Sequence, residues 1–335
     1  MRFQDFVGNA RVIERLRARL REGRFPHGLL FSGPAGVGKR TCALMLAKAL
    51  NCAQTAAPDD FCDACAQCRK IDAGIHPDVL LVGLEEDSSE IKVPQIRGVL
   101  ESLNLRPMEG THKVYVIDPA DAMNRAAENA LLKALEEPPE DNHFILVAAN
   151  PQSLAVTVRS RCQSYAFWPL TLAEMRRFGD DELALRWSRG SIGSLKAFDL
   201  PAVRQRRDAA LRFIETAVWA KDDQLRELIA ASADLARSKG DFESNMDAVA
   251  VLMEDLLYIT EGVPERIVNI DLEPRLRKLA ADLPEQQISR IAEFLRTIEF
   301  YMNTYVNRQM MTDVLAITSN AVLNKIAHDN PGKSR

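Results

Sequence analysis

Residues 33–40 run Gly-Pro-Ala-Gly-Val-Gly-Lys-Arg. Glycines and a lysine at this spacing form a phosphate-binding loop. The glycines let backbone N–H groups close around phosphate oxygens, and the lysine reaches the terminal phosphates. Gly33, Gly36, Gly38 and Lys39 supply those parts. The pattern then asks for Ser or Thr, whose hydroxyl would sit on Mg²⁺, and the chain has Arg40. A guanidinium is permanently cationic and offers no acceptor. The loop is therefore built to hold a nucleotide and poorly built to cleave one. Thr41 comes one residue late, and one residue turns a side chain about 100° around a helix, so its hydroxyl is expected to point elsewhere.

Asp118 closes the apolar run Val114–Ile117. That is where a nucleotide-hydrolysing site places the Asp that directs its metal. The residue after it should be a Glu that activates water, and here it is Pro119, which neither takes a proton nor orients water. The competing reading makes Asp118 an ordinary strand-end residue. A third cluster is Cys52, Cys62, Cys65 and Cys68, spaced C-x9-C-x2-C-x2-C. Four thiolates at such spacing favour tetrahedral zinc with no open position, a structural site. The alternative is four free thiols. Cys42 and Cys162 lie outside the cluster and read as small buried residues.

These residues need a scaffold. Gly28–Ser32 is a short apolar run entering the loop, and a helix is expected over Thr41–Leu50: strand, loop, helix. Further apolar runs at Val114–Ile117 and Phe144–Ala149, separated by helical segments, predict an α/β domain with a parallel sheet. After Pro169 the texture turns helical. Thr171 and Glu174 form a capping box, and Ile288, Ile291, Leu295, Ile298, Met302 and Tyr305 recur at helical spacing. The last five residues, Pro331–Arg335, are expected to fray. Boundaries are placed near residue 169 and near Pro201. This gives an α/β core at 1–169 with the cysteine insertion at 52–68, a small helical part at 170–200, and an all-α part at 201–330.

The 335 residues are 47% hydrophobic and 27% charged, which suits a globular chain of two or three domains. No run is apolar and long enough to cross a bilayer, so no membrane partner is expected and the cytoplasm is the default location. A net charge of −4 argues against a protein that coats DNA alone. Arg11, Arg15 and Arg19 share one face of a predicted helix, and a solvated face explains them best.

Several motifs together resemble the AAA+ clamp-loader family of bacterial DNA polymerase III. Phe3-Gln-Asp-Phe-Val-Gly8 is similar to its N-terminal box, and Ile91-Lys-Val-Pro-Gln-Ile-Arg97 to a helix start. Asn129–Pro139, reading NALLKALEEPP, resembles a specific family signature, and Ser160-Arg161-Cys162 its SRC motif. The cysteine insertion is also a family feature. Gly190-Ser191 and Val306-Asn307-Arg308 carry a weaker likeness through the remainder. The resemblance implies an AAA+ P-loop domain, a helical lid and an all-α C-terminal collar.

It also implies sensors that have been lost. Sensor 1 falls at Val147–Asn150, with Ala149 where a polar residue is expected. The sensor 2 arginine falls at Gly193. With Arg40 and Pro119, four positions depart from an active ATPase, so ATP or ADP in this pocket is doubtful and no intrinsic turnover is expected. Arg161 is intact. In the family it acts in trans as an arginine finger on a neighbour's nucleotide; the competing reading is a surface ion pair, and Arg159 is a weaker candidate. Implied partners are gamma/tau ATPase subunits, the delta subunit, a sliding clamp, and primed-template DNA reached through the assembly. Lys92 and Arg97 are the candidate phosphate contacts. Two alternatives remain open: a subunit that hydrolyses ATP despite these departures, and a zinc-dependent nucleic-acid-binding module.

Overall fold

A computed structural model of the chain describes residues 2–23, 25–54, 57, 59–219, 225–235, 239–282 and 289. The C-terminal stripe from Ile288 to Tyr305, the Val306–Arg308 motif and the Pro331–Arg335 tail lie outside the described residues.

The first half is the expected α/β layer. Helix α1 (Ala10–Arg21) leads to β1 (Gly28–Ser32), the phosphate loop and α2 (Lys39–Asn51). The cysteine segment and α3 (Ala66–Asp72) follow, then β2 (Val79–Val82), α4 (Val93–Ser102), β3 (Lys113–Ile117), α5 (Arg125–Glu136) and β4 (Asn142–Ala148). A short α6 (Val156–Arg159) precedes β5 (Gln163–Ala166). The strands form one sheet in the order β2-β3-β4-β1-β5, and every neighbouring pair is parallel. Central strands of such a sheet are covered on both faces and read as unbroken apolar runs. Strands β3 and β4 are buried at every position. Leu131, Leu135, Ile96 and Val99 from α5 and α4 pack against Tyr115, Ile117, Phe144 and Leu146 of those strands.

Two strands escape a search for apolar runs. The edge strand β2 buries Val79 and Val82 and leaves Leu81 exposed, while β5 is Gln-Ser-Tyr-Ala, with only Tyr165 buried. An edge strand has one neighbour and one wet side, so it needs little apolar material. The helix after the loop begins at Lys39 rather than Thr41. Gly38, at φ 98°, takes the left-handed turn immediately before it.

The second half is helical: α7 (Leu172–Met175), α8 (Glu182–Trp187), α9 (Ile192–Lys196), α10 (Leu200–Trp219), α11 (Leu225–Leu235), α12 (Lys239–Thr260) and α13 (Glu273–Asp282). The Thr171 hydroxyl accepts the Glu174 N–H at 3.3 Å, and the Glu174 carboxylate returns to the Thr171 N–H at 2.8 Å, the capping box in full. Two compact units result. One holds Met1–Asp180 and Ser188–Lys196; the other holds Asp181–Trp187 and the described residues from Ala197 onward. Residues 170–200 thus contribute to both. In the helical unit, Phe213, Ile214, Val249, Leu252, Leu256, Leu276 and Leu279 form a core from α10, α12 and α13. Asp255, wholly buried there, accepts the N–H groups of Val268 and Asn269 at 2.7 and 2.9 Å.

Candidate functional site

The loop between β1 and α2 closes over a cleft of about 330 Å³ at the carboxyl ends of the strands. Ligands of open parallel sheets bind at that end. Gly33, Gly36 and Gly38 adopt φ of 132°, 74° and 98°, which let successive N–H groups turn inward. Gly33 has a further reason: a Cβ there would lie 2.1 Å from the Phe167 carbonyl oxygen. Lys39 is almost wholly buried, and its ammonium donates to the carbonyls of Gly33 and Pro34. Burial holds its pKa below the usual lysine range, against the pull of Asp118 and Asp121.

Asp118 lines the same cleft, so the structure brings together the loop and the strand-end carboxylate. Its neighbour is Arg40, whose Nε lies 3.9 Å from the carboxylate. Burial raises the Asp118 pKa, and the charges of Arg40 and Lys39 oppose that rise. Mg²⁺ wants a near-octahedral shell of oxygen at about 2.1 Å. This position offers a guanidinium where a hydroxyl is needed, and the carboxylate faces that guanidinium. These residues do not fit the metal. Pro119 and Ala149 line the cleft beside them and bring no polar side chain. Asp121 has a different task, accepting the N–H groups of Ala149 and Asn150 at 2.9 and 2.8 Å. It fixes the backbone just past the end of β4.

Gly193 closes another wall. Its N–H donates to the Gly36 carbonyl at 3.1 Å, backbone on backbone. Lys196, three residues on along α9, lines the cleft as well. Lys196 belongs to no motif in the sequence, and its i+3 spacing from Gly193 was the available signal.

The four cysteines do converge. Every pair among the sulfurs of Cys52, Cys62, Cys65 and Cys68 lies within 4.8 Å. A tetrahedron with zinc–sulfur bonds of about 2.3 Å has edges of about 3.8 Å, and Cys52 and Cys65 Sγ are 3.9 Å apart. Backbone N–H groups also aim at sulfur. Those of Ala64 and Cys65 reach Cys62 Sγ at 3.4 and 3.2 Å, and that of Cys62 reaches Cys52 Sγ at 3.3 Å. Such donors favour thiolate. At Cys65 the N–H groups of Cys68 and Ala53, together with the neighbouring Cys68 and Cys62 sulfurs, outweigh burial and bring the thiol down to about 6. The set fits a structural zinc ion held by all four sulfurs. Lys48, buried near the end of α2, pairs with Asp63 and Asp72 at 2.5 and 2.6 Å and stands 5.3 Å over the Phe61 ring, fastening this segment to the loop helix.

Arg161 follows α6, just before β5 begins. It donates to the Thr157 carbonyl at 2.8 Å and pairs with Glu136 at the end of α5. The ion pair foreseen as its competing role is thus present within the chain. Arg159 bonds Gln152 at 2.6 Å. Lys92 and Arg97 are exposed at the start of α4. The α1 arginines are largely occupied: Arg17 and Arg21 meet Asp59, Arg19 meets Glu22, and Arg15 lies 5.0 Å over the Tyr165 ring.

Comparison with known proteins adds kinship to this geometry. The family described as DNA polymerase III, delta subunit, matches residues 8–171. Subunit tau of DNA polymerase III from Bacillus subtilis is 30% identical over 297 residues, covering 89% of this chain and 46% of its own length. The Escherichia coli tau subunit is 33% identical, covering 85% of this chain and 48% of its own. The chain is homologous to DNA polymerase III clamp-loader subunits. The B. subtilis delta-prime subunit is 39% identical over 160 residues, which is 48% of this chain and 47% of that one. The chain thus spans about half the length of the relatives it matches, and the kinship extends to tau, gamma and delta-prime without selecting one. The fold is that of an AAA+ P-loop domain followed by helices. No helix among the described residues is long and apolar enough to cross a membrane.

Proposed function

We propose that the chain is a non-hydrolysing, delta-prime-like subunit of a clamp loader. It supplies Arg161 in trans to a neighbouring ATPase subunit of the gamma/tau kind and helps load a sliding clamp onto primed DNA. The observation that carries this reading is the position of Arg161. The phosphate loop leaves β1 at its carboxyl end, whereas Arg161 precedes the amino end of β5, which pairs in parallel with β1. Four or five strand residues at about 3.3 Å each put roughly 13–16 Å of sheet between those ends. Arg161 therefore does not serve its own cleft. A guanidinium fork suits the phosphates of another subunit.

The test is turnover by the reconstituted assembly. Arg161→Ala should cost the adjoining site about 10³-fold or more, while circular dichroism of the subunit stays unchanged. Lys39→Ala should leave assembly turnover nearly intact. An unaltered rate with Arg161→Ala would sink the proposal. A hydrolysing subunit is the second reading, favoured by the identity with tau over most of this chain. Phosphate release by the purified chain alone would establish it.

A further inference from the structure

We propose that the cleft binds a diphosphate group without a divalent cation, with Arg40 standing in for the metal and Lys196 adding a third positive charge. An ordinary phosphate loop neutralises its ligand with one lysine and one Mg²⁺. Here three cationic side chains, those of Lys39, Arg40 and Lys196, line the cleft against one carboxylate, Asp118. The charge a metal would bring is already present in the chain.

The metal's own requirements are unmet. Arg40 has no oxygen to offer, and the carboxylate that would steer a metal faces its guanidinium at 3.9 Å. A divalent cation placed there would be repelled by Arg40. A diphosphate would instead find planar donors suited to its oxygens. The left-handed glycines let N–H groups turn inward, and the buried Lys39 ammonium, held on the carbonyls of Gly33 and Pro34, gains an anion. Gly193 contributes a wall with no side chain in the way, which leaves Lys196 on the next turn to approach.

The inference rests on the reading of this cleft as non-hydrolysing. Its test is therefore equilibrium binding, with turnover measured separately on the same preparation. The full chain is titrated calorimetrically with ADP and with inorganic pyrophosphate, each in EDTA and in Mg²⁺. Binding in EDTA that is equal to or tighter than in Mg²⁺ is expected, and the ligand that binds identifies the source of the diphosphate. Arg40→Ser should weaken binding in EDTA about tenfold and make the remainder depend on Mg²⁺. Lys196→Ala should weaken it by a similar factor without creating that dependence. Both side chains are exposed enough for folding to survive the change. Absence of binding by both ligands in EDTA, or affinity about tenfold higher in Mg²⁺, overturns the proposal. Hydrolysis alongside metal-free binding would refute the non-hydrolysing reading and leave this one standing.

Discussion

Asp78 belongs to no motif, yet it is wholly buried and takes three backbone donors. The N–H groups of Met108, Glu109 and Gly110 reach it at 2.7, 2.8 and 2.8 Å. Burial raises its pKa, but the three donors outweigh burial and the net shift is downward. Asp78→Ala should cost about 3 kcal/mol or more, because each amide left without an acceptor carries a desolvation penalty. Urea denaturation at neutral pH measures it. Arg161 differs in kind. Its pair with Glu136 leaves both side chains partly exposed, at 33% and 48%, so the contact is easily exchanged for a stronger one. Glu136→Gln should change the subunit's stability by no more than about 1 kcal/mol, read from the same denaturation curves.

Helix α2 is the element that links the two candidate sites. Lys39 opens it at the cleft, and Lys48, Asn51 and its C-cap Cys52 stand towards the other end, about 14–20 Å away at 1.5 Å per residue. Asn51 also accepts the N–H groups of Thr111 and His112, both at 2.9 Å, just ahead of β3. Lys48→Met should destabilise the chain by about 2–3 kcal/mol, since Asp63 and Asp72 lose their shared cation. It should also speed release of bound zinc to a chromogenic chelator. Removing zinc should raise amide exchange across residues 52–72 while the strands stay protected. At this scale the sequence was partly legible. The buried strands β3 and β4 announced themselves as apolar runs, and the loop and cysteines by their spacing. Strands β2 and β5 did not, because sheet edges need few apolar residues. Lys48 did not either, because its two partners arrive from another segment after folding. The seating of Gly193 on Gly36 is a tertiary contact between backbones, with no signature in residue type.

For the whole molecule, acid is the informative variable. His143 is enclosed at the amino end of the sheet. It donates from Nδ1 to the Pro26 carbonyl at 2.9 Å, its Nε2 meets His112 Nδ1 at 3.1 Å, and the His27 ring stacks on it. Burial lowers its pKa to about 4. An unfolded histidine titrates near 6.5, so the unfolded chain takes up a proton that the folded chain refuses. Stability from this group is therefore complete above about pH 6.5 and falls as pH drops towards 4, by roughly 3 kcal/mol. Asp78 adds its loss lower, below the ordinary carboxylate value of about 3.9, as its own depressed pKa is crossed. Denaturation midpoints recorded from pH 7 to pH 4 should decline, and His143→Gln should flatten that slope.

The seating of Gly193 on Gly36 also limits what position 193 can hold. A Cβ on Gly193 would lie 2.9 Å from the Gly36 Cα, and one on Gly36 would lie 2.2 Å from the Ser191 hydroxyl. An arginine cannot be placed at position 193 without prising the start of α9 off the loop. On the proposed reading of the cleft as non-hydrolysing, this contact must open before any side chain at 193 can reach a ligand. Replacing Arg40 alone would leave that contact closed.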